Sequence, residues 1–463
     1  MRLGRGTRMV RVEPLVHTPL IDLRGSALDR RTLRASLPRA QASQNAPVET
    51  VRPLLDDIRD RGRAAVAEAT ARFDGVESGS FRVPADALRE AAAQLDPAVR
   101  AGLDEAIARV RTVSAAEVPA PRTVEVASGA RITTRHLPAD RVGLYVPGGL
   151  AVYPSSVVMN TVPAQEAGVG SIALASPPQR ETGLPHPTVL AAAHLLGLDE
   201  VWAIGGAQAI GAFAYGFADA DGRQDGAEAL EPVDIITGPG NAYVATAKSL
   251  VRDRVGIDAV AGPTEIIVLA DAAADPLLVA ADLVSQAEHD PLAAAVLVTE
   301  SEELALAVDA ALGEATDRAV HADRIRTSLS GAQSGIVLVD SLQAGEAVVN
   351  AYAGEHVELH VADPAAVASR ITNGGAVFVG AHSPVALGDY LAGSNHVLPT
   401  LGTAAFGDCL SVHAFLRVSQ VIEYSRDALA QVADHITALA EAENLPAHGE
   451  SVRARFTTTT PEG

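Results

Sequence analysis

From residue 139 onward, short apolar segments alternate with alanine-rich segments that have helical spacing. The apolar segments are VGLYV, SIALAS, EVWAIG and DIITG, followed further on by TEIIVLA, AAVLVTE, GIVLVD and AVFVG. Such alternation is typical of βαβ units, whose parallel strands are covered by helices on both faces. The sequence therefore predicts an α/β fold made of two successive Rossmann-like (incomplete) halves, at 139–258 and 259–398.

The segments on either side are predicted to be mainly helical. Residues 50–118 carry apolar residues at spacings of three and four, which places a helical region with lead-in strands at 21–138. Residues 399–463 are expected to form a C-terminal helical tail that reaches a second copy of the chain in an intertwined homodimer. Residues 1–20 carry arginines without an apolar block, which predicts a disordered extension, with Met9 as an alternative start.

Composition excludes several classes of protein. Asp and Glu number 57 against 36 Lys and Arg, a net charge of −21 that argues against a nucleic-acid partner. No apolar run approaches the roughly 18 residues of a membrane-spanning helix. Cys409 is the single cysteine, so an internal disulfide and a cysteine-based zinc motif are both excluded. We expect a cytoplasmic protein without a membrane partner.

The stretch SQAEHD, residues 285–290, places four hydrogen-bonding side chains at the end of an apolar helix pattern. At about 100° per residue, Gln286 and His289 lie together on one flank of the apolar face, whereas Glu288 points away. Helix geometry thus favours Gln286 and His289 as a converging pair. The alternative is a polar helix end with a capping histidine.

The string AGEHVELH supplies adjacent acidic and basic groups on a predicted strand. Strand alternation separates Glu355 from His356, Glu358 and His360, but at the mouth of the strand Glu355 and His356 can both reach one pocket. The spacing is not H-E-x-x-H, which excludes the metalloprotease helix. A neighbouring carboxylate and imidazole suit proton transfer; exposed strand residues are the alternative.

Two further polar strings follow. GDYLAGSNHVLPT places Asp389, Asn395 and His396 in a loop after the AVFVG strand, and ligands are expected at the carboxyl edge of an α/β sheet. ENLPAH places Glu443 and His448 at the end of the last predicted helix, where a histidine often serves only as a cap.

Three glycine-rich turns occur in the first α/β half: YVPGG, GGAQAIGA and TGPGNAYVATAK. Each follows a predicted strand and precedes a helix, so backbone N–H groups there can receive phosphates. None has the Walker A or G-x-G-x-x-G pattern. A nucleotide site is favoured over turns that use glycine only for close packing.

From IDLRG at 21–25 to about residue 456, the chain resembles the histidinol dehydrogenase family. The matching strings, in order, are RVGLYVPGG, YPSSVVMN, PAQEAGV, GGAQAIGA, ITGPGNAYVATAK, GIDAVAGPTEI, SQAEHDP, AYAGEHVEL, GDYLAGSNHVLPT and LPAH. The resemblance implies a zinc-dependent, NAD-using oxidation of L-histidinol to L-histidinaldehyde and then to L-histidine, the last steps of histidine biosynthesis. It also implies one zinc ion per subunit of a homodimer.

Residue roles follow from the same resemblance. The implied catalytic residues are His356, as the base for the alcohol proton, and Glu355, which activates water for attack on the aldehyde. The implied metal ligands are Gln286, His289, Asp389 and, from the partner subunit, His448. The resemblance further implies that these ligands and His356 contact substrate together with Thr264 and Glu443, with His396 close by, and that Tyr145, Gln208 and Asn241 contact NAD.

The chain departs from the family pattern at two places. Thr264 stands where many members have serine, and little effect is expected because the hydroxyl is retained. In AAFGDCLSV, Asp408 and Cys409 replace small residues, which leaves the conformation of that loop open but not the metal site.

Two other functions compete with the dehydrogenase. A non-catalytic, metal-dependent protein that binds an imidazole or amino acid would need neither the Glu355 water activator nor the His356 base. A metal hydrolase would use the metal and Glu355 but would have no use for the three glycine turns.

Overall fold

The computed structural model describes residues 18–26, 29–40, 47–77, 79–148, 152–219, 221–223 and 228–457. The predicted extension therefore lies, up to residue 17, outside the described residues, as does Gly149 of the first glycine turn. The strands are β1 (Leu20–Asp22), β2 (Arg122–Ala127), β3 (Ala130–Pro138), β4 (Arg141–Tyr145), β5 (Ser171–Ser176), β6 (Val201–Ala203), β7 (Ile235–Thr237), β8 (Gly256–Ile257), β9 (Glu265–Ala270), β10 (Ala294–Thr299), β11 (Gly335–Leu338), β12 (His356–His360), β13 (Ala376–Val379) and β14 (Leu416–Tyr424).

The helices account for most of the remaining described chain. They are α1 (Arg30–Ser36), α2 (Val48–Arg61), α3 (Arg63–Phe73), α4 (Ala85–Ala93), α5 (Pro97–Glu117), α6 (Pro154–Glu166), α7 (Pro187–Leu195), α8 (Gly206–Tyr215), α9 (Ala242–Leu250), α10 (Pro276–Ala287), α11 (Glu302–Arg318), α12 (Ala322–Leu329), α13 (Leu342–Tyr352), α14 (Pro364–Ala368), α15 (Val385–Tyr390), α16 (Arg426–Ala442) and α17 (Pro446–Thr457), with 3₁₀ turns at Thr403–Ala405 and Val412–Phe415. Within the described residues, no helix combines the length and apolar character needed to span a lipid bilayer.

The first α/β half is built on a parallel sheet with strand order β6-β5-β4-β7-β8. Its strands are almost wholly apolar because helices cover both faces. Trp202, Phe213 and Ile210 are fully buried in one core cluster with residues of α2, which shows that the N-terminal helices complete this half.

The second α/β half is a parallel sheet with strand order β1-β11-β10-β9-β12-β13. Every residue of β9, β10 and β12 is buried. One core cluster lies on the side of α10 and α11, and another on the side of α13. The edge strand β1 comes from the N-terminus, so this half recruits a segment far away in sequence.

The chain divides into two compact units. One comprises Met1–Glu117 and Asp140–Phe415, and the other Val118–Ala139 and Leu416–Gly463. The second unit holds an antiparallel sheet of order β14-β3-β2 and the helix pair α16 and α17. Ser425 caps α16 by accepting the N–H of Ala428.

The predicted α/β architecture is confirmed. The helices predicted for 50–118 and the strand segments of both halves also appear where the periodicity placed them. The helices α16 and α17 agree with the predicted C-terminal helical tail, but the strand β14 in the same region was not foreseen. Pro446 starts α17 and supplies the fixed φ of a first helical position.

Candidate active site

The central strands of the second sheet bring two polar pairs side by side. In the parallel register, His356 of β12 lies opposite Ile266 of β9. Glu355 and His356 at the start of β12 are therefore next to Thr264 and Glu265 at the start of β9. The helix α10 runs from the carboxyl edge of the sheet back to the amino edge, and its last turn carries Gln286 to the same place. The site therefore lies at the amino edge of this sheet.

The expectation that Asp389 lies at the carboxyl edge of the sheet is wrong. Asp389 is not in a loop directly after β13 but at the end of α15. The N-terminus of α15 is anchored halfway along β12, where the N–H of Val385 donates to Glu358 (2.8 Å). The six-residue helix then carries Asp389 to within 3.9 Å of His289 Nε2, and His289 follows α10 at the amino edge.

A continuous chain of hydrogen bonds links three of the predicted site residues. Gln286 Nε2 donates to Thr264 Oγ1 (2.5 Å), and Thr264 Oγ1 donates to Glu355 Oε2 (2.5 Å). The same carboxylate oxygen accepts the backbone N–H of Glu265 (2.9 Å). Thr264 thus fixes the position of Glu355 relative to the end of α10.

Glu355 is a buried carboxyl, with 7% of its surface exposed. Burial raises the pKa of Glu355 to about 7, against the hydrogen bonds from Thr264 and Glu265, which favour the ionised form. A carboxyl with a pKa near neutrality can both take up and release a proton at physiological pH. The surface-strand alternative for this string is therefore excluded.

His356 is equally buried and lies next to Glu355. Its Nδ1 is 3.3 Å from the carbonyl oxygen of Glu265 and 3.6 Å from Glu355 Oε2. Because both neighbours are oxygen acceptors, the Nδ1 position carries the proton and Nε2 is left as the basic nitrogen. Burial lowers the pKa of His356, which keeps the ring neutral near pH 7.

Gln286 has the property expected of a metal ligand. Its side chain is fully buried, its nitrogen is used on Thr264, and its Oε1 has no hydrogen-bond partner. An orphaned buried oxygen is rare in proteins, and a cation would satisfy it. His289 and Asp389 face each other nearby and add a nitrogen and a carboxylate, a donor set that suits zinc. These three residues fit the predicted metal.

The other two C-terminal residues of the prediction belong to the second unit. Glu443 is the C-cap of α16, and His448 lies in the first turn of α17; both are exposed. Their roles in metal and substrate binding remain predictions.

Sequence analysis mentioned His396 only briefly and did not identify Ser156 or Glu265. His396 Nδ1 donates to the carbonyl of Asp389 (2.9 Å), and Ser156 of α6 contacts His396 Nε2 (3.1 Å). Glu265, not singled out from the sequence, is a fully buried carboxyl 3.4 Å from Arg39. The sequence feature that could have identified Glu265 is an acidic residue at the start of an otherwise apolar strand.

The three glycine turns lie at the carboxyl ends of β4, β6 and β7 in the first sheet. The Tyr145 hydroxyl accepts the N–H of Gly206 (3.1 Å), and Gln208 Nε2 donates to Asp74 (3.0 Å), so both polar groups already bond within the protein. Asn241 is exposed and caps α9 by accepting the N–H of Tyr243 (3.0 Å). All three lie near helix N-termini, where a phosphate binds well.

A buried ion pair holds the third turn in place. Lys248 Nζ pairs with Asp258 and donates to the Gly238 carbonyl (2.9 Å), while Asp258 Oδ2 accepts the Gly238 N–H (2.8 Å). Gly238 has φ near 120°, and a Cβ there would collide with the Tyr145 carbonyl oxygen. The first and third turns are thereby fixed against each other.

Comparison with known proteins shows the family to which the chain belongs. Residues 37–456 match the family model of histidinol dehydrogenase. The chain is 57% identical over 437 residues to a histidinol dehydrogenase of Nocardia farcinica, covering 94% of this chain and 97% of that one, and equally similar to one of Thermobifida fusca. The crystal structure of histidinol dehydrogenase from Elizabethkingia anophelis superposes with a TM-score of 0.87 at 30% identity, over 95% of this chain and 98% of the other. The resemblance found in the sequence motifs is confirmed, and the chain belongs to the histidinol dehydrogenase family of oxidoreductases.

Proposed function

We propose that this chain carries out the zinc-dependent, four-electron oxidation of L-histidinol to L-histidine through L-histidinaldehyde, with two molecules of NAD as oxidant. One observation carries the proposal. The buried Glu355–His356 pair, suited to moving protons, lies one hydrogen-bonded residue away from Gln286, whose free oxygen suits a metal. Family membership supports the same reaction.

Gln286, His289 and Asp389 would hold the zinc ion, with His448 of the partner subunit as the fourth protein ligand in a homodimer. A zinc ion held by these residues would supply the positive charge that binds and orients the substrate through its imidazole and amino nitrogens. The hydrogen bond from Gln286 Nε2 to Thr264 leaves Oε1 as the atom available to the metal, because the two ends of one amide are fixed together. Thr264 and Glu443 would contact the substrate.

In the first oxidation, His356 removes the proton of the substrate alcohol at Nε2. The Nδ1 proton is fixed by the Glu265 carbonyl, so the ring presents its lone pair to the substrate without needing to rotate. The carbon loses a hydride in the same reaction, and bound NAD accepts it.

In the second oxidation, Glu355 takes a proton from a water molecule that attacks the aldehyde carbon. Hydration is required because hydride leaves a carbon as a deprotonated hydroxyl on that carbon forms a C=O bond. The aldehyde carbon carries no hydroxyl, whereas the carbon of its hydrate does. The hydrate then loses a hydride to the second molecule of NAD and a hydroxyl proton to solvent, which gives the carboxylic acid. The raised pKa of Glu355, about 7, fits a group that must accept a proton at neutral pH.

Tyr145, Gln208 and Asn241 would line the NAD site at the glycine turns. Since the Tyr145 hydroxyl and the Gln208 amide already bond to Gly206 and Asp74, their part is to shape the turns and present backbone N–H groups. Asn241 is exposed at the start of α9 and can contact the cofactor directly.

A coupled assay tests the proposal. Zinc-loaded protein mixed with L-histidinol and NAD should form two NADH molecules per histidinol consumed, with L-histidine as the product. No NADH from metal-replete, folded protein would overturn it and would favour the binding-protein alternative. Hydrolysis of an ester or amide analogue without NADH formation would favour a hydrolase.

A further inference from the structure

A second group of potential ligands lies at the other end of β12 from the catalytic pair. It consists of Asp282 on α10 and of Glu358 and His360 on β12. One ligand atom from each of the three residues lies within 4.8 Å of the other two. Glu358 and His360 point to the same face of the strand because they are two residues apart.

The three groups are packed away from water. Glu358 is 1% exposed and His360 is 6% exposed, and Asp282 is half-buried. Two carboxylates in such a place carry two negative charges that need compensation, since an unpaired buried charge is strongly unfavourable. Within the described residues, His360 is the cationic group recorded against both of them.

A proton on His360 is the simplest compensation. Burial lowers the pKa of His360, but Asp282 and Glu358 together raise it to about 9, so a metal ion has to displace this proton. The contacts that the proton makes are nevertheless long. His360 Nε2 is 3.5 Å from Asp282 Oδ2 and 3.5 Å from Glu358 Oε2. A charge-assisted N–H···O bond is about 2.7–2.9 Å long, whereas one N–H shared between two acceptors at 3.5 Å makes only two long, weak contacts. Glu358 Oε2 accordingly has no hydrogen-bond partner, although it is buried.

A divalent cation satisfies all three atoms together. Around a zinc ion with bonds of about 2.0–2.2 Å, tetrahedral ligand atoms lie about 3.4 Å apart, close to both observed separations. The other oxygen of Glu358 accepts the Val385 N–H (2.8 Å), the kind of outer hydrogen bond that orients a metal-binding carboxylate. The free Oε2 is therefore held facing His360.

This group is separate from the catalytic pair. His360 lies four residues from His356 along an extended strand, about 13 Å away. None of the ligands proposed for the catalytic zinc is shared, because Gln286, His289 and Asp389 lie at the amino edge of the sheet.

We propose that Asp282, Glu358 and His360 form a second divalent-metal site, which binds zinc through two carboxylates and one imidazole. Three protein ligands leave a fourth position to water. The ion joins α10 to β12 by bridging Asp282 to Glu358 and His360. It thereby supports the helix that ends in Gln286, one turn beyond Asp282.

Zinc counting on the full-length protein tests this proposal. Metal-free wild type, Glu358→Gln and His360→Gln are dialysed against Zn²⁺ alone, their folding is checked by circular dichroism, and bound zinc is measured by mass spectrometry. The matched control is His289→Asn, which removes a ligand of the other proposed site. We expect wild type to bind one ion more than Glu358→Gln or His360→Gln, with at least about tenfold weaker binding at the altered site.

The control keeps the test decisive if the two variants fail to fold. His289→Asn should still bind one zinc ion per chain, and Co²⁺ in its place should give an absorption band of a site with nitrogen and oxygen ligands. Equal zinc content in wild type and a folded Glu358→Gln, or no zinc in His289→Asn, would overturn the second site. A single ion in wild type that is absent from Glu358→Gln would support this site and instead contradict the catalytic zinc.

Discussion

Thr264 donates its hydroxyl hydrogen to Glu355 across 2.5 Å, and this contact joins the starts of two neighbouring strands. The same hydroxyl accepts a hydrogen bond from Gln286, so a single oxygen connects the proposed water activator to a proposed metal ligand. A serine at position 264 would supply the same hydroxyl.

Replacing Thr264 with valine should uncouple these residues. Thr264→Val keeps the shape of the side chain but removes a hydrogen bond to a charged group. Such a bond contributes about 1.5–3 kcal/mol of interaction free energy. We expect kcat/KM for histidinol to fall by about 10- to 100-fold and the pKa of Glu355 to rise further, which moves the acidic limb of the pH–rate profile to higher pH. Thr264→Ser is the control and should stay within about threefold of wild type. A valine variant with an unchanged profile would remove Thr264 from the site.

Glu355→Gln should affect the two oxidations unequally. The amide retains an oxygen that can accept the Glu265 N–H but cannot take a proton from water. Oxidation of added histidinaldehyde should therefore slow by about 10²- to 10⁴-fold, and the histidinol step much less. Single-turnover measurement of each step checks this. Small and equal effects on both steps would contradict the role of Glu355.

His356→Asn should abolish turnover and leave the metal in place. Loss of a general base lowers the rate by about 10²- to 10⁴-fold, whereas His356 is not among the proposed ligands. Steady-state kinetics and zinc content, measured on the same preparation, separate the two effects. Full activity, or loss of zinc together with activity, would refute this assignment.

Glu265 should make stability depend on pH near neutrality. Burial raises its pKa to about 7, against the attraction of Arg39. A raised pKa means that the contribution to stability is complete below the unfolded-state pKa and is lost as the pH rises through about 7. The free energy of unfolding in urea should fall between pH 5 and pH 8, with up to roughly 3 kcal/mol from this group. Glu265→Gln should shrink that decline.

The control for Glu265 is a carboxyl with the opposite behaviour. Hydrogen bonds from Arg370 lower the pKa of Glu346, so Glu346→Gln should leave the decline between pH 5 and pH 8 as in wild type. An equal decline in Glu265→Gln and wild type would show that Glu265 is not the source.

Gly238→Ala should destabilise the first α/β half. The φ near 120° disfavours any side chain, and the added Cβ would collide with the Tyr145 carbonyl, so we expect a loss of at least about 3 kcal/mol in the free energy of unfolding. Gly222→Ala separates the two causes, since Gly222 has φ near 80° with nothing within 4 Å of a Cβ. In Gly222→Ala the free energy of unfolding should fall by only about 1–2 kcal/mol. Similar thermal shifts for both variants would exclude the collision.

Local pattern was enough to predict much of the architecture. The apolar strands SIALAS and TEIIVLA and the helices of 50–118 carry their own periodicity, so the two parallel sheets could be expected before any contact was known. Residues 416–424 could not be assigned in this way. β14 is largely exposed, even at Val418 and Ile422, so no buried face marks it as a strand in the sequence. Its strand form depends on antiparallel pairing with β3, almost 300 residues earlier.

The sequence by itself determined which side chains meet at the candidate site. Helix spacing selected Gln286 and His289, the strand start selected Glu355 and His356, and the family motifs added Asp389 and Thr264. Only the tertiary structure decided where they meet, at the amino edge of the sheet, because α10 and α15 both carry the chain back from the far edge. It also decided which charges are buried. Sequence position alone does not show that the carboxyls of Glu265 and Glu358 are buried. The covering helices remove water from both and leave each in need of a cation or a proton.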